Sequence, residues 1–180
     1  MKNTIRKKYL TIRNNITNRE ELDNSIFKRL INNKIVNNST LILIYVSTNS
    51  EVNTINLIEY YLKEKQVAVP KIDNNIMNFY IIKSLNDLSP GYFNILEPTT
   101  KEKVTSFNNC ISITPGIAFS RDLYRIGYGK GFYDKFYENH KDIYKIGITY
   151  DECLLDTLPT DKYDIPLDEI ITPTRILVKK

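Results

Sequence analysis

The sequence predicts an α/β fold: a single-domain three-layer sandwich with a largely parallel central sheet and helices on both faces. Three observations carry this. Leu41-Ile42-Leu43-Ile44-Tyr45-Val46 is an unbroken apolar run, the pattern of a strand covered on both sides, as parallel sheets under helices require. Shorter runs of the same kind recur at Gln66–Val69, Cys110–Thr114 and Tyr144–Ile148. Between them lie segments whose apolar residues follow helical spacing, and strands alternating with helices build such a sheet. A length of 180 residues fits one sizeable core. No repeat, linker or charge break divides the chain, so residues 1–180 are read as one domain.

The elements follow in order. Ile5, Tyr9, Ile12 and Ile16 mark one face of a first helix. Lys2 and Arg6 stand one turn apart on a different face. Thr17-Asn18-Arg19-Glu20 reads as a capping box opening a second helix, whose Leu22, Ile26, Phe27, Leu30 and Ile31 face inward and which Asn32, Asn33, Asn37 and Asn38 end. The strand Leu41–Val46 runs into a polar loop, Ser47 to Glu51. A helix follows over 53–65, then a strand over 66–69 that Pro70 stops. Residues 78–82 alternate weakly, as a further strand would, and Ser89-Pro90-Gly91 reads as a turn. The strand 110–114 closes at Pro115-Gly116. A helix over 131–140 buries Phe132, Tyr133 and Phe136, with His140 as its C-terminal cap. After the strand 144–148, Ile170-Ile171 and Ile176-Leu177-Val178 supply short strands.

Composition excludes several functions. The longest apolar run has six residues, far short of a membrane span, and the N-terminus has no apolar signal core. Cys110 and Cys153 form no metal-ligand spacing or disulfide framework and read as buried thiols in a reducing compartment. One histidine excludes His-rich zinc sites and, unless His140 serves, most catalytic triads. The expected location is the cytoplasm. Residues 1–19 hold Lys2, Arg6, Lys7, Lys8, Arg13 and Arg19 with no acid before Glu20. An organelle transit segment, a nucleic-acid arm and a helix lending charge to an anionic ligand all fit that count. The apolar stripe on the same segment favours the structural helix.

Half of the six glycines fall within five residues, inside Arg125-Ile126-Gly127-Tyr128-Gly129-Lys130-Gly131-Phe132-Tyr133-Asp134. Glycine costs conformational entropy in a fixed structure, so such a cluster answers a geometric need. One need is close approach of backbone N–H groups to phosphates, with Arg125 and Lys130 adding charge and Asp134 a carboxylate for a metal. The other is a tight turn with bulge glycines before a helix. The string is neither a P-loop nor a dinucleotide fingerprint, whose third glycine would come one residue later.

With Pro115-Gly116-Ile117-Ala118-Phe119 ahead of that loop, the chain resembles the 5-formyltetrahydrofolate cyclo-ligases. Supporting elements are Lys2-Asn3-Thr4-Ile5-Arg6, Ser47 to Thr54 with Glu51, Val69-Pro70-Lys71 and Asp164-Ile165-Pro166-Leu167-Asp168. Departures stand at Ser120, Leu123, Phe132 and Pro173, and Phe132 lacks the hydroxyl of the tyrosine usual there. The resemblance implies an ATP- and Mg²⁺-dependent closure of 5-formyltetrahydrofolate to 5,10-methenyltetrahydrofolate. It implies an ATP site of Lys2, Arg6, Arg125, Ile126, Gly127, Tyr128, Gly129, Lys130, Gly131, Phe132 and Tyr133. Arg125 and Lys130 would offset charge during phosphoryl transfer, and Asp134 and Asp164 would hold the metal. Val46, Glu51, Tyr128, Gly129, Lys130, Gly131 and Phe132 would contact the folate, and the enzyme would act as a monomer without nucleic acid or membrane. Two rivals remain: a phosphosugar- or CoA-type enzyme of similar architecture, and an RNA- or nucleotide-binding module using the basic N-terminus.

Overall fold

The apolar runs assemble side by side in the computed structural model, which describes residues 1–180. Helices α1 (Lys2–Asn14), α2 (Arg19–Ile31) and α3 (Lys34–Asn38) precede β1 (Leu41–Ile44). Then come α4 (Ile55–Leu62), β2 (Gln66–Asp73), β3 (Ile76–Ile82), β4 (Leu88–Pro90) and β5 (Leu96–Pro98). The second half holds β6 (Cys110–Thr114), β7 (Ala118–Ser120), β8 (Arg125–Ile126), α5 (Phe132–Asn139), β9 (Tyr144–Ile148), β10 (Leu154–Leu155), β11 (Glu169–Ile171) and β12 (Ile176–Val178).

Seven strands form the main sheet in the order β12-β11-β9-β6-β1-β2-β3. The five inner strands run parallel, and only the edge strands β3 and β12 pair antiparallel. A second sheet of three short strands, β10-β7-β8, carries the chain from β6 to the glycine-rich loop.

Alternation along β1 shows how the layers are built. Ile42 and Ile44 join Ile26 and Leu30 of α2 and Leu57, Ile58 and Tyr61 of α4 in the largest core. Leu41 and Leu43 point the other way, into a core with Phe136 and Tyr137 of α5. Every β1 side chain is therefore buried, which is why this strand reads as a continuous apolar run. Helix α1 lies on the small sheet, where Ile5 and Tyr9 cover Ala118, Ile126 and Leu158.

Several boundaries differ from the sequence reading. Helix α2 starts after Asn18 in the left-handed conformation, with no side-chain cap, so the Thr17–Glu20 capping box does not form. Asparagine tolerates that backbone better than most residues. The asparagines after α2 do not simply end it; Asn33 caps the unforeseen α3 by accepting from the N–H groups of Ile35 and Val36. Pro70 does not stop β2, which runs on to Asp73. The β1 ladder reaches only Ala68, so Pro70 sits where one side of the strand has no partner strand, a position proline tolerates. Ser89 and Pro90 belong to β4, and the turn falls later, over 91–95. His140 does cap α5, its ring packed against Phe107 and Phe136.

Candidate active site

Loops leaving the carboxyl ends of β1 and β6 face one another, the position where open α/β sheets hold ligands. The loop after β1 is pinned by its own side chains. Ser47 and Thr54 bond reciprocally: each backbone N–H donates to the other's hydroxyl, at 2.9 and 3.0 Å. Tyr45 donates from its hydroxyl to the Val52 carbonyl. Within this frame Glu51 Oε1 accepts from the Thr48 N–H at 2.8 Å and the Thr48 hydroxyl at 3.0 Å. Glu51 Oε2 accepts from the Tyr128 hydroxyl at 3.1 Å, so the glycine-rich loop and the β1 loop touch. Tyr128 is half-exposed with its hydroxyl drawn inward, and desolvation, then the Glu51 carboxylate, push its pKa up to about 12.

The glycine-rich loop needs its glycines at two positions in particular. Gly129 has φ of +98° and Gly131 has φ of +69°, values that L side chains resist. Gly131 is the N-cap of α5 and brings no side chain to the free N–H groups of the first turn. That leaves a helix N-terminus of positive polarity facing the loop. Arg6 reaches over from α1 and donates from Nε to the Gly127 carbonyl at 2.8 Å. Lys130 is exposed and enters no ion pair.

Two carboxylates lie close by, each held by a cation. Lys2 Nζ meets Asp164 Oδ2 at 2.6 Å and Asp161 Oδ2 at 3.0 Å. Burial alone would lower the Lys2 pKa, but the bonds to Asp164 and Asp161 outweigh it and raise it. Arg125 Nη2 stands 3.7 Å from Asp134 Oδ1, and that oxygen accepts from the Ile165 N–H at 3.1 Å. Asp134 is thereby tied to the residue following Asp164. No group of three or more His, Cys, Asp or Glu side chains assembles a full metal cage. Two hard carboxylates suit Mg²⁺, which keeps waters and takes phosphate oxygens.

The structure thus brings Lys2, Arg6, Gly127, Tyr128, Gly129, Arg125, Asp134, Asp164 and Glu51 into one bonded region. Other residues from the sequence reading are placed differently. Val46 and Ile126 are buried in core clusters, so Ile126 offers a ligand only its backbone. Phe132 and Tyr133 pack against the α5 core. The Arg125 guanidinium lies beneath the loop against the Tyr133 ring, with Nε buried and unpartnered, as is the Tyr133 hydroxyl. Two further residues join that the sequence reading passed over, Arg13 and Asp161. In the sequence Arg13 is one cation of the basic N-terminus.

The sequence profile of the 5-formyltetrahydrofolate cyclo-ligase family matches residues 1–173. The chain belongs to this family. It is 28% identical over 177 residues to the 5-formyltetrahydrofolate cyclo-ligase of Haemophilus influenzae, covering 93% of this chain and 95% of that one. A probable 5-formyltetrahydrofolate cyclo-ligase of Caenorhabditis elegans is 28% identical over 163 residues, covering 82% and 79%. The NMR structure of Aquifex aeolicus 5,10-methenyltetrahydrofolate synthetase superposes with a TM-score of 0.87 at 30% identity, over 98% of this chain and 92% of that one. The fold class is therefore that of a known synthetase, and the chain is an enzyme of the ligase class. No helix is long and apolar enough to cross a membrane.

Proposed function

We propose that this chain converts 5-formyltetrahydrofolate to 5,10-methenyltetrahydrofolate with ATP and Mg²⁺, releasing ADP and phosphate. The observation that carries the reading is the meeting of four distant segments, 2–6, 47–51, 125–134 and 161–165, beyond the carboxyl ends of the inner strands. Basic groups and free helix N–H groups lie on one side of that region, and a carboxylate on a pinned loop lies on the other. Family membership supports the assignment.

The formyl group on N5 is an amide whose oxygen leaves poorly. ATP, with its metal, would supply the phosphoryl group that turns this oxygen into a leaving phosphate. The substrate's N10 then closes the ring on the same carbon and gives up its proton, and the C–O bond breaks with its electrons passing to phosphate. Because the nucleophile belongs to the substrate, the chain needs no Ser–His or Cys–His pair. Its task is positioning and charge stabilisation. Gly127, Gly129 and Gly131 let the backbone approach the phosphates, while Lys2 and Arg6 close over them from α1. Lys130, exposed and unpaired, is free to follow charge as it moves to the transferring group. Arg125 orients Asp134, and Asp134 and Asp164 would hold the metal. Glu51 accepts N–H groups of the pterin edge, with Tyr128 beside it. The enzyme acts in the cytoplasm as a monomer.

The test is absorbance of the methenyl product formed by purified protein from 5-formyltetrahydrofolate. Turnover is expected only with ATP and Mg²⁺ together. Equal turnover without ATP, or none under any condition, would overturn the assignment.

A further inference from the structure

Arg13 lies at the end of α1 and is 3% exposed, yet it enters none of the ion pairs of the molecule. Burying a guanidinium costs several kcal/mol unless its charge and its donors are met. Its donors are met by three different loops. Nε donates to the Ser50 hydroxyl at 2.9 Å, Nη1 to the Gly116 carbonyl at 3.0 Å, and Nη2 to the Tyr128 hydroxyl oxygen at 2.9 Å. Arg19 buttresses the arrangement, donating to the Ser50 carbonyl at 2.8 Å and to the carbonyl of Arg13 itself.

The chemistry of the donors decides which way the network points. Arginine has no acceptor, so the Tyr128 oxygen must accept from it, and the single Tyr128 proton is left for Glu51 Oε2. The carboxylate that Arg13's hydrogen bonds reach is therefore Glu51, one hydroxyl away. Ser50, the other side chain it grips, is the residue before Glu51. Both routes from Arg13 end on the same carboxylate, one through the neighbouring loop and one through the backbone.

We propose that Arg13 is a positioning residue for the folate. Through Tyr128 and Ser50 it holds Glu51 in the orientation that receives the substrate's N–H edge. This rests on the folate role assigned to Glu51 above. It adds that α1, whose first turns meet Asp164 through Lys2 and the glycine-rich loop through Arg6, governs the folate half of the site through its last turn.

The experiment measures the affinities of 5-formyltetrahydrofolate and of ATP separately, by calorimetry, on wild type, Arg13→Lys, Tyr128→Phe and the double variant. Lysine keeps the charge, but its three donors sit on one nitrogen and cannot reproduce the spread of the planar guanidinium. Arg13→Lys is expected to weaken folate binding about tenfold while leaving ATP within about twofold, and Tyr128→Phe to weaken folate binding about threefold, the scale of one or two charge-assisted bonds. The double variant should bind folate about as weakly as Arg13→Lys alone, since the two share one bond. Multiplying losses would overturn the relay, and equal losses for folate and ATP would make Arg13 a general packing residue. Should Arg13→Lys not fold, Ser50→Ala and Tyr128→Phe carry the test, and folate affinity unchanged in both overturns it. A wild type that binds no 5-formyltetrahydrofolate would sink the functional reading itself. One that binds it as tightly as Arg13→Lys does would sink only the role of Arg13.

Discussion

Lys2→Met and Asp164→Asn break the same ion pair and should nonetheless respond to Mg²⁺ differently. The pair is 2.6 Å long, with the two side chains 26% and 14% exposed. An exposed pair contributes about 0–1 kcal/mol, whereas removing one partner of a buried pair costs about 3–5 kcal/mol. Lys2→Met strands a mostly buried carboxylate with only the Asp161 N–H as donor, so a cost of about 2 kcal/mol is expected. Asp164→Asn leaves Lys2 partly exposed and still 3.0 Å from Asp161, so about 1 kcal/mol is expected. At roughly 2–4 °C per kcal/mol for a chain of this length, the melting temperature should fall by about 6 °C and about 3 °C. The decisive assay is Mg²⁺ titration of turnover at saturating ATP. Asp164→Asn should raise the Mg²⁺ midpoint about tenfold, having lost a hard anionic ligand. Lys2→Met should keep that midpoint within about twofold and raise the KM for ATP instead. Equal Mg²⁺ shifts in both variants would show that Asp164 serves only to anchor α1, and the metal assignment would fall.

Other outcomes follow from single contacts. Glu51→Gln places an amide N–H₂ where an oxygen now accepts, and should weaken 5-formyltetrahydrofolate binding by about 2 kcal/mol while ATP affinity holds; equal losses for both ligands by calorimetry would refute the contact. Lys130→Met should lower kcat more than folate affinity, since the exposed amine has no ground-state partner; unchanged kcat would remove it from the chemistry. Glu169 is 3% exposed, and burial raises its pKa above 4.5 despite hydrogen bonds from Tyr144 and Asn33. A raised carboxyl adds stability below its unfolded pKa and loses it as pH rises through the folded value. Glu169→Gln should therefore melt no lower than wild type at pH 7, and its advantage should vanish by about pH 4; a loss growing with pH would contradict the sign. A Cβ on Gly147 would meet Leu167 Cδ1 and Phe119 Cε1 at 2.6 Å each, so Gly147→Ala should cost about 2–3 kcal/mol by denaturant unfolding.

What was legible in the chain is what periodicity records. Leu41–Val46 reads as a doubly covered strand because side chains on both faces are apolar. Lys2 and Arg6 read as neighbours because four residues make little more than one helical turn. Asparagine misled in both directions. Asn18, in a left-handed conformation, stands in place of the expected Thr17 cap, while Asn33, expected to end α2, opens α3. Arg13 was not legible because spacing cannot separate a buried arginine from a solvated one. Its burial is decided by three loops that arrive from residues 50, 116 and 128. The orientation of Arg125 escaped for the same reason, since a guanidinium beside glycines looks free until Tyr133 and Asp134 are seen around it.

The bond from Lys2 to Asp164 spans 162 residues, and that from Arg6 to Gly127 spans 121. Such long-range contacts make the site a late product of folding, since the chain entropy of the large loop must be overcome before they contribute. During synthesis at about 5–20 residues per second, roughly eight to thirty seconds separate the appearance of Lys2 from that of Asp164. For most of that interval α1 has its apolar face without the small sheet, whose strands end at residue 155, and until its close Lys2 lacks Asp161 and Asp164. A nascent chain thus lacks the Lys2 ion pairs until residues 161–164 are made, and α1 is open to chaperones or to wrong partners in the meantime.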